Sequence, residues 1–214
     1  MNAHGSAQRP RPLRLGVLIS GSGRTLMNLH RLIGLGRLDA EIALVVASRP
    51  CKGVDLAAAA GMNVQVVSYK MSPDPGEYSR KITALLEAAG VDLVVMAGFL
   101  SMWHIPPHYL GRVINIHPAL LPSFGGKGMY GHFVHEAVLR AGCKVSGCTV
   151  HFVDNEYDKG PIIIQRPVPV LEGDDGATLA ARVFEQELLA LPEAIALIAA
   201  GRCRIDGDVV RIGE

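Results

Sequence analysis

The alternation of short apolar runs with segments of helical spacing limits the fold of this chain more than any other feature of its sequence. Arg14–Ile19, Glu41–Ala47, Val64–Val67 and Val91–Met96 consist mainly of aliphatic residues. Such continuous runs are typical of strands that are covered on both faces, as in a parallel sheet. Because helical spacing fills the gaps between the runs, the first hundred residues predict a doubly wound, mostly parallel α/β sheet.

The remaining predicted elements extend this pattern into a less regular second half. Leu26, Leu29 and Leu32 recur at helical spacing after the first strand. Pro192 is expected to kink or restart the last long helix. The other predicted elements are helices at Val54–Ala60, Glu77–Ala89, His132–Ala141 and Ala177–Ala199, strands at Arg112–Ile116, Val145–Val153 and Pro161–Val170, and a hairpin of Cys203–Ile205 with Val209–Ile212.

Composition and charge are those of one ordinary globular domain. The 214 residues are 49% hydrophobic and 19% charged, with a formal net charge of +1. We therefore expect no general attraction to nucleic acid or to an anionic membrane, and any anionic ligand must be held by a local site. Residues 1–13 are predicted to be a flexible tail, and residues 14–214 to form a single domain with an irregular C-terminal part.

The cysteines and the termini bear on the compartment. Cys51, Cys143, Cys148 and Cys203 form no Cys-x-x-Cys pair and have no histidine at zinc spacing, so we expect reduced thiols and no metal site. No apolar run reaches the roughly 20 residues that a membrane helix requires. Met1–Pro12 also lacks the apolar core of a signal peptide. A cytoplasmic enzyme is the resulting expectation.

A glycine-rich turn, Ser20–Thr25, follows the first predicted strand and opens a helix. Free backbone N–H groups and the positive helix end make this position suitable for an anion. It is not a complete dinucleotide fingerprint, because Leu26 replaces the third glycine, and it lacks the Gly-Lys-Ser/Thr of a Walker loop. Arg49, after the second strand, keeps an NADP-linked enzyme open. A cradle for a monophosphate is favoured over NADP and over a plain tight turn.

Two further segments contain groups suited to catalysis. Alternation along a strand puts Asn115 and His117 on the same side, where an amide and an imidazole could hold one developing oxyanion. Downstream, the carboxylates of Asp154, Glu156 and Asp158 crowd one loop, and one of them could orient the imidazole. An ordinary hydrogen-bonded histidine and a solvated acidic turn are the alternatives, and composition does not choose between the three carboxylates.

Taken together, these segments resemble the glycinamide ribonucleotide formyltransferases of purine synthesis. The pattern Asn-Ile-His-Pro-x-Leu-Leu-Pro, followed by His-Phe-Val and by Asp-x-Gly-Pro, is specific, and the likeness covers almost all of the chain after residue 13. The resemblance implies a formyltransferase fold with a Rossmann-like N-terminal half. The segments that carry it are Leu15–Thr25, Ala97–Phe99, Asn115–Pro122, Val150–Pro161 and the helix near Glu187.

The resemblance also implies the reaction and its residues. A formyl group would pass from 10-formyltetrahydrofolate, the cosubstrate, to the amine of glycinamide ribonucleotide, without metal. Asn115 and protonated His117 would stabilise the oxyanion, and Asp158 would support the imidazolium. Gly23, Arg24 and Thr25 would bind the substrate phosphate and Glu187 the ribose. The implied folate-binding residues are Leu100, Ser101, Met102, Trp103, Asn115, Asp154, Asn155, Glu156, Tyr157 and Asp158.

Some positions depart from the family pattern. Ser101 stands where many relatives have a basic residue, and Asp74–Gly76 stands where relatives offer an arginine to the folate tail. The loop Ser123–Gly131 is longer than in the commonest version, and its glycines suggest either a lid that closes over ligand or a permanently packed loop. The resemblance therefore does not identify a partner for the folate tail.

Related activities remain as alternatives. Methionyl-tRNA formyltransferases share a similar Leu-Leu-Pro segment but carry an additional C-terminal domain. Formyltetrahydrofolate deformylases usually carry an N-terminal regulatory domain and a His-His pair where this chain has His117-Pro118. A non-catalytic nucleotide-binding module would explain the glycine-rich turn but would leave Asn115 and His117 without a role. The sequence favours the ribonucleotide transferase, as a monomer or a homodimer.

Overall fold

The computed structural model describes residues 11–71 and 74–213. Its strands are β1 Leu13–Ile19, β2 Ala40–Ala47, β3 Val64–Val66, β4 Leu93–Met96, β5 Val113–His117, β6 Val145–Phe152, β7 Ile162–Pro169, β8 Cys203–Asp206 and β9 Val209–Ile212. Its α-helices are α1 Arg24–Gly34, α2 Lys52–Ala59, α3 Pro75–Ala88, α4 His132–Arg140 and α5 Gly176–Ala199. Short 3₁₀ turns lie at Tyr69–Met71 and Pro107–Tyr109.

Seven of these strands form one sheet in the order β3-β2-β1-β4-β5-β6-β7. Strands β1 to β5 pair in parallel, whereas β6 and β7 are antiparallel to their neighbours. Strands β8 and β9 form a separate hairpin. The predicted fold class, a doubly wound and mostly parallel sheet, is confirmed.

Alternate residues of the central strand β1 pack against helices on opposite faces of the sheet. Leu15, Val17 and Ile19 belong to one buried cluster with residues of α1, α2, α4 and α5. Leu18 belongs to the other cluster, with residues of α3 and the segment after β4. Burial on both faces explains why this strand is a continuous apolar run rather than an alternating one.

Helix α5 runs without interruption through Pro192, so the predicted restart at this residue is wrong. A proline inside a helix leaves the carbonyl four residues earlier without its N–H partner. Here that carbonyl belongs to Leu188, and the side chain of Asn28 on α1 donates to it over 2.9 Å. The hydrogen bond from α1 replaces the missing one, and the helix therefore continues.

The other predicted elements occur within a few residues of their expected bounds. Helix α3 begins at Pro75, two residues earlier than predicted, because the Asp74 carboxylate accepts hydrogen bonds from the N–H groups of Gly76 and Glu77. Leu13, assigned to the tail, is the first residue of β1. Residues 1–10 of the predicted tail lie outside the described residues.

Candidate active site

A cavity of about 840 Å³ lies at the carboxyl ends of the parallel strands. The strand order reverses between β1 and β4, and in open α/β sheets such a switch point opens a crevice for ligands. The loops after both strands line the cavity, together with the end of β5 and one face of α5. Every residue that the family resemblance implied for catalysis or for ligand binding lines this one cavity.

Asn115 on β5 faces His151 on β6. The two residues are directly opposite each other in the antiparallel ladder, and Asn115 Nδ2 lies 3.2 Å from His151 Nε2. His151 Nδ1 lies 2.7 Å from the Phe152 carbonyl oxygen, which can only accept, so Nδ1 carries the proton. Because the Asn115 amide nitrogen can only donate, Nε2 of His151 is the acceptor. Asn115 donates one amide hydrogen to it, and its second amide hydrogen remains for a ligand.

His117 is buried at the end of β5, and each of its ring nitrogens has a different neighbour. Nε2 donates to the carbonyl oxygen of Phe124 over 2.8 Å. Nδ1 lies 3.6 Å from Asp158 Oδ2. Because Nε2 already carries a proton, Nδ1 is the atom at which the ring gains or loses its second proton.

Asp158 is the one of the three loop carboxylates that reaches both histidines. Its Oδ1 lies 3.7 Å from His151 Nε2, and its Oδ2 accepts a hydrogen bond of 2.9 Å from the Gly126 N–H. Asp154 instead accepts from the N–H of Glu156 within its own turn. Burial alone would raise the pKa of Asp158, but the contact with His151, the charge of His117 and the Gly126 N–H together lower it. The carboxylate is therefore ionised at neutral pH.

Burial decides the protonation of His117. Removal of the ring from water lowers its pKa below 6.5, and the opposing effects of Asp158 and of the Phe124 carbonyl do not cancel this shift. The expectation of a protonated His117 is therefore corrected: near neutral pH the ring is mainly neutral. Asp158 still acts in the predicted direction, because its charge raises the histidine pKa from what burial alone would give.

Backbone geometry at the site is unusual at two non-glycine residues. Phe124 has a φ of 56° and Asp158 a φ of 55°. This left-handed region is tolerated by aspartate but is rare for a bulky residue such as phenylalanine. Phe124 presents the carbonyl that binds His117, and Asp158 presents the carboxylate that faces it. The strained backbone thus holds the two groups that flank the imidazole.

The glycine-rich turn after β1 packs tightly against the start of α2. Gly23 has a φ of 74°, and a Cβ atom there would lie 2.6 Å from Gly53 Cα. A side chain at Gly23 would therefore disturb the fold as well as any ligand, so this position does not suit a test of phosphate binding. Arg49 donates from Nε to the Ser20 carbonyl over 2.8 Å and is not among the cavity residues, which disfavours the NADP alternative.

The two loops nominated for folate are joined to each other. The side-chain amide of Asn155 pairs with both the N–H and the carbonyl of Ile105, at 2.9 and 3.1 Å. This amide therefore fixes the geometry of the two loops relative to each other. Leu100 also has its N–H engaged, by Ser20 Oγ at 2.9 Å. Its exposed side chain and the backbone beyond it remain at the cavity wall.

The far wall of the cavity is formed by α1 and α5. The Arg24 guanidinium lies over the Phe184 ring, with its carbon 3.7 Å from the ring centroid. Glu187 is partly buried one helical turn further along α5. Burial raises the pKa of Glu187 to about 7, and the positive charge of Arg24 opposes this shift.

Replacing Glu187 with Gln is expected to stabilise the protein above neutral pH. The folded chain binds this proton with a pKa of about 7, against 4.5 for a glutamate in water. The free energy of unfolding therefore falls as the pH rises from about 4.5 to about 7. In Glu187→Gln, which has no carboxyl group here to ionise, this fall should not occur. Melting temperatures at pH 5 and pH 8 measure it, with Glu185→Gln as the exposed control on the same helix. An equal change in both variants at both pH values would contradict the assignment.

A metal-binding cluster and a membrane-spanning helix are both absent from the part of the chain that the structure describes. Residues 11–71 and 74–213 contain no group of three or more His, Cys, Asp or Glu side chains that could hold a metal ion. Over the same residues, no helix has the length and apolar character needed to cross a membrane.

Sequence reasoning missed three residues of the site. His151 precedes the acidic loop, but its position opposite Asn115 depends on the register of β5 and β6, which local sequence does not give. His135 on α4 is buried at the cavity wall with its Nδ1 unpaired, and Phe184 lies under Arg24. The sequence offered one signal for His151, its place two residues after Thr149 on the same predicted strand. Alternation puts both side chains on one face of the sheet, and Thr149 lies opposite His117 at the end of β5.

The fold and the cavity are those of an α/β enzyme in which Asn115, His117 and Asp158 lie close to the glycine-rich turn. The sequence model of the formyl transferase family matches residues 13–195. The chain therefore belongs to the formyl transferase family. A chloroplastic phosphoribosylglycinamide formyltransferase from Arabidopsis thaliana is 37% identical over 212 residues, which cover 96% of this chain and 72% of that protein.

Two bacterial proteins match over nearly their whole length. A phosphoribosylglycinamide formyltransferase from Mycobacterium tuberculosis is 39% identical over 95% of this chain and 93% of its own. The structure of glycinamide ribonucleotide transformylase 1 from Symbiobacterium toebii has a TM-score of 0.89 at 38% identity, with 96% of each chain covered.

Other relatives share only part of their length or only the fold. The chain spans 14–20% of five animal trifunctional purine biosynthetic proteins, at 37–41% identity. The structure of a formyltetrahydrofolate deformylase from Pseudomonas syringae has a TM-score of 0.84 at 24% identity. The match covers 98% of this chain and 67% of the deformylase, and it shows a likeness of fold alone.

Proposed function

We propose that this chain transfers a formyl group from 10-formyltetrahydrofolate to the amine of glycinamide ribonucleotide in purine synthesis. The observation that carries the proposal is the cluster of Asn115, His117 and Asp158 in one cavity with the glycine-rich turn, in a chain similar over its length to enzymes named for this reaction. A binding module would not need a buried imidazole held between a carbonyl and a carboxylate.

The ribonucleotide would lie between α1 and α5. Its phosphate would meet the N–H groups of Gly23, Arg24 and Thr25, where the α1 dipole favours an anion. Glu187, across the cavity on α5, would accept hydrogen bonds from the ribose hydroxyls. This orientation would direct the amine toward the end of β5.

The folate would occupy the other half of the cavity and supply the formyl group. The residues present fit such a molecule. An exposed apolar side chain, Leu100, lies at the wall next to the backbone of Ser101–Trp103, and the segment Asp154–Tyr157 lies opposite. Flat heterocycles with donors and acceptors at their edges are held in this way, by apolar contact and a few polar groups.

The chain's own groups can handle both charges that the reaction generates. The second amide hydrogen of Asn115 would donate to the oxygen that becomes negative when the amine attacks. Neutral His117 would accept the proton of the amine at Nδ1, and Asp158 would stabilise the resulting imidazolium at 3.6 Å. His117 would then give this proton to the folate nitrogen as the bond between that nitrogen and the formyl carbon breaks. His117 would thus act as a base first and as an acid afterwards.

Location and assembly follow as smaller proposals. All four cysteines are unpaired in the structure, which supports a reducing compartment such as the cytoplasm. The chloroplastic relative shows that the compartment differs between relatives. A monomer or a homodimer would suffice, because the proposed residues all come from one chain.

An assay with and without acceptor tests the proposed function. The purified protein is incubated with 10-formyltetrahydrofolate, and formylated ribonucleotide and formate are both measured. We expect product only when glycinamide ribonucleotide is present. Formate release without acceptor would indicate a deformylase, and no turnover in either case would indicate a binding module.

A further inference from the structure

Arg24 is the one arginine or lysine among the described residues that line the cavity. It is the first residue of α1, directly after the left-handed Gly23, and no acidic residue lies in the first turn of this helix. The guanidinium and the positive end of the helix therefore act at the same place. Any anion bound at this turn would meet both of them.

The contact between Arg24 and Phe184 leaves the polar edge of the guanidinium available. The guanidinium carbon lies 3.7 Å from the centre of the ring, and an aromatic ring attracts a cation through its quadrupole rather than as a carboxylate or carbonyl acceptor, so the N–H donors remain for an anion. A long arginine side chain loses rotamer freedom when it binds an anion, and this loss of entropy weakens binding. An aromatic partner that already restricts the side chain in the free protein makes the loss on binding smaller. Phe184 touches the cavity as well, from the α5 side.

We propose that Phe184 is a positioning residue, which holds the Arg24 guanidinium ready to bind the phosphate of the ribonucleotide. The inference rests on the proposed function for the identity of the substrate, and on geometry alone for the link between the two side chains. Glu187 lies one turn along α5 on the same face, and its charge attracts Arg24 away from the anion. The aromatic ring counteracts this by fixing the guanidinium over α5 without consuming its donors.

Substitutions at Phe184 test the link through phosphate affinity. Phe184→Leu keeps an apolar side chain but removes the ring, and should weaken binding of ribose 5-phosphate about threefold to tenfold, the range for a partly buried cation–π contact. Phe184→Tyr keeps the ring and should bind as the wild type does. Isothermal titration calorimetry with ribose 5-phosphate and with unphosphorylated ribose measures both. The exposed Leu189→Ala is the control on the same helix.

A double-mutant cycle distinguishes positioning from a general effect on the fold. In an Arg24→Gln background, Phe184→Leu should cause no further loss, because the ring then has no guanidinium to hold. In steady-state assays, Phe184→Leu should raise the KM for the ribonucleotide, with kcat and the KM for the formyl donor nearly unchanged. Additive losses, an unchanged affinity in Phe184→Leu, or no binding of ribose 5-phosphate to the wild type would each overturn the inference.

The two proposals can fail separately. If the protein transfers no formyl group but shows the expected cycle with ribose 5-phosphate, the positioning role stands and the proposed function is wrong. If it transfers formyl and the two substitutions are additive, the function stands and Phe184 has no positioning role.

Discussion

Replacing Asp158 with Asn is expected to lower turnover by about two orders of magnitude, the usual cost of losing a partner in proton transfer. The amide keeps the size of the side chain but removes the charge that opposes the effect of burial on His117. The histidine pKa should therefore fall further below 6.5, and the ring should become a weaker base. The imidazolium formed during the reaction would also lose its counter-charge at 3.6 Å.

The pH dependence of this variant gives the direction of the effect. In the wild type, activity should fall at acid pH as His117 becomes protonated. In Asp158→Asn that acid limb should move to lower pH, because the histidine pKa is lower, while the plateau is reduced. Titration of His117 by NMR checks the shift directly. Affinity for the ribonucleotide should change little, because the phosphate is bound at α1.

Asp154→Asn is the matched control for the titration. Its carboxylate accepts a hydrogen bond within its own turn and does not reach the histidines, so the His117 pKa should stay unchanged. A shift in Asp154→Asn without one in Asp158→Asn would show that the wrong carboxylate has been assigned. The membership of the chain in the formyl transferase family would not be affected.

The fold was predictable because a strand that is buried on both faces of the sheet has apolar residues at successive positions. Val17 and Leu18 point to opposite faces of the sheet, yet both are fully buried, and an unbroken apolar run is the consequence. Pro192 shows where local reasoning stops. Its effect depends on Asn28, 164 positions earlier in the chain, which donates to the Leu188 carbonyl. A helix-breaking residue was recognised correctly, but its compensation comes from another helix.

The residues of the site were predictable where strand alternation or family resemblance applied. They were not predictable where the pairing of distant segments decides which side chains meet. Asn115 and His117 share a side because they are two residues apart on β5. The protonation of His117 was predicted wrongly, because a nearby carboxylate is visible in sequence whereas the depth of burial is not. The position of Phe184 under Arg24 likewise arises only when α1 and α5 pack together.

His151 is the residue whose role depends most on that register. Its Nε2 accepts from Asn115 at 3.2 Å, and its Nδ1 donates to the Phe152 carbonyl, so the ring orients the Asn115 amide. With the amide nitrogen held on this ring, its second hydrogen remains available to a ligand in the cavity. A catalytic amide that rotates freely would offer its oxygen about as often as its nitrogen, and an oxygen would repel the developing oxyanion.

Replacing His151 with Phe is therefore expected to lower kcat by about tenfold to a hundredfold, somewhat less than the cost of removing an oxyanion donor outright. The KM for the ribonucleotide should remain near the wild-type value. Steady-state kinetics of His151→Phe, Asn115→Ala and the double variant measure the coupling, because loss of the histidine should matter little once the amide is gone. His151→Gln, which restores an acceptor, should recover part of the activity. If the two losses are additive, His151 acts through Asp158, 3.7 Å away, rather than through Asn115.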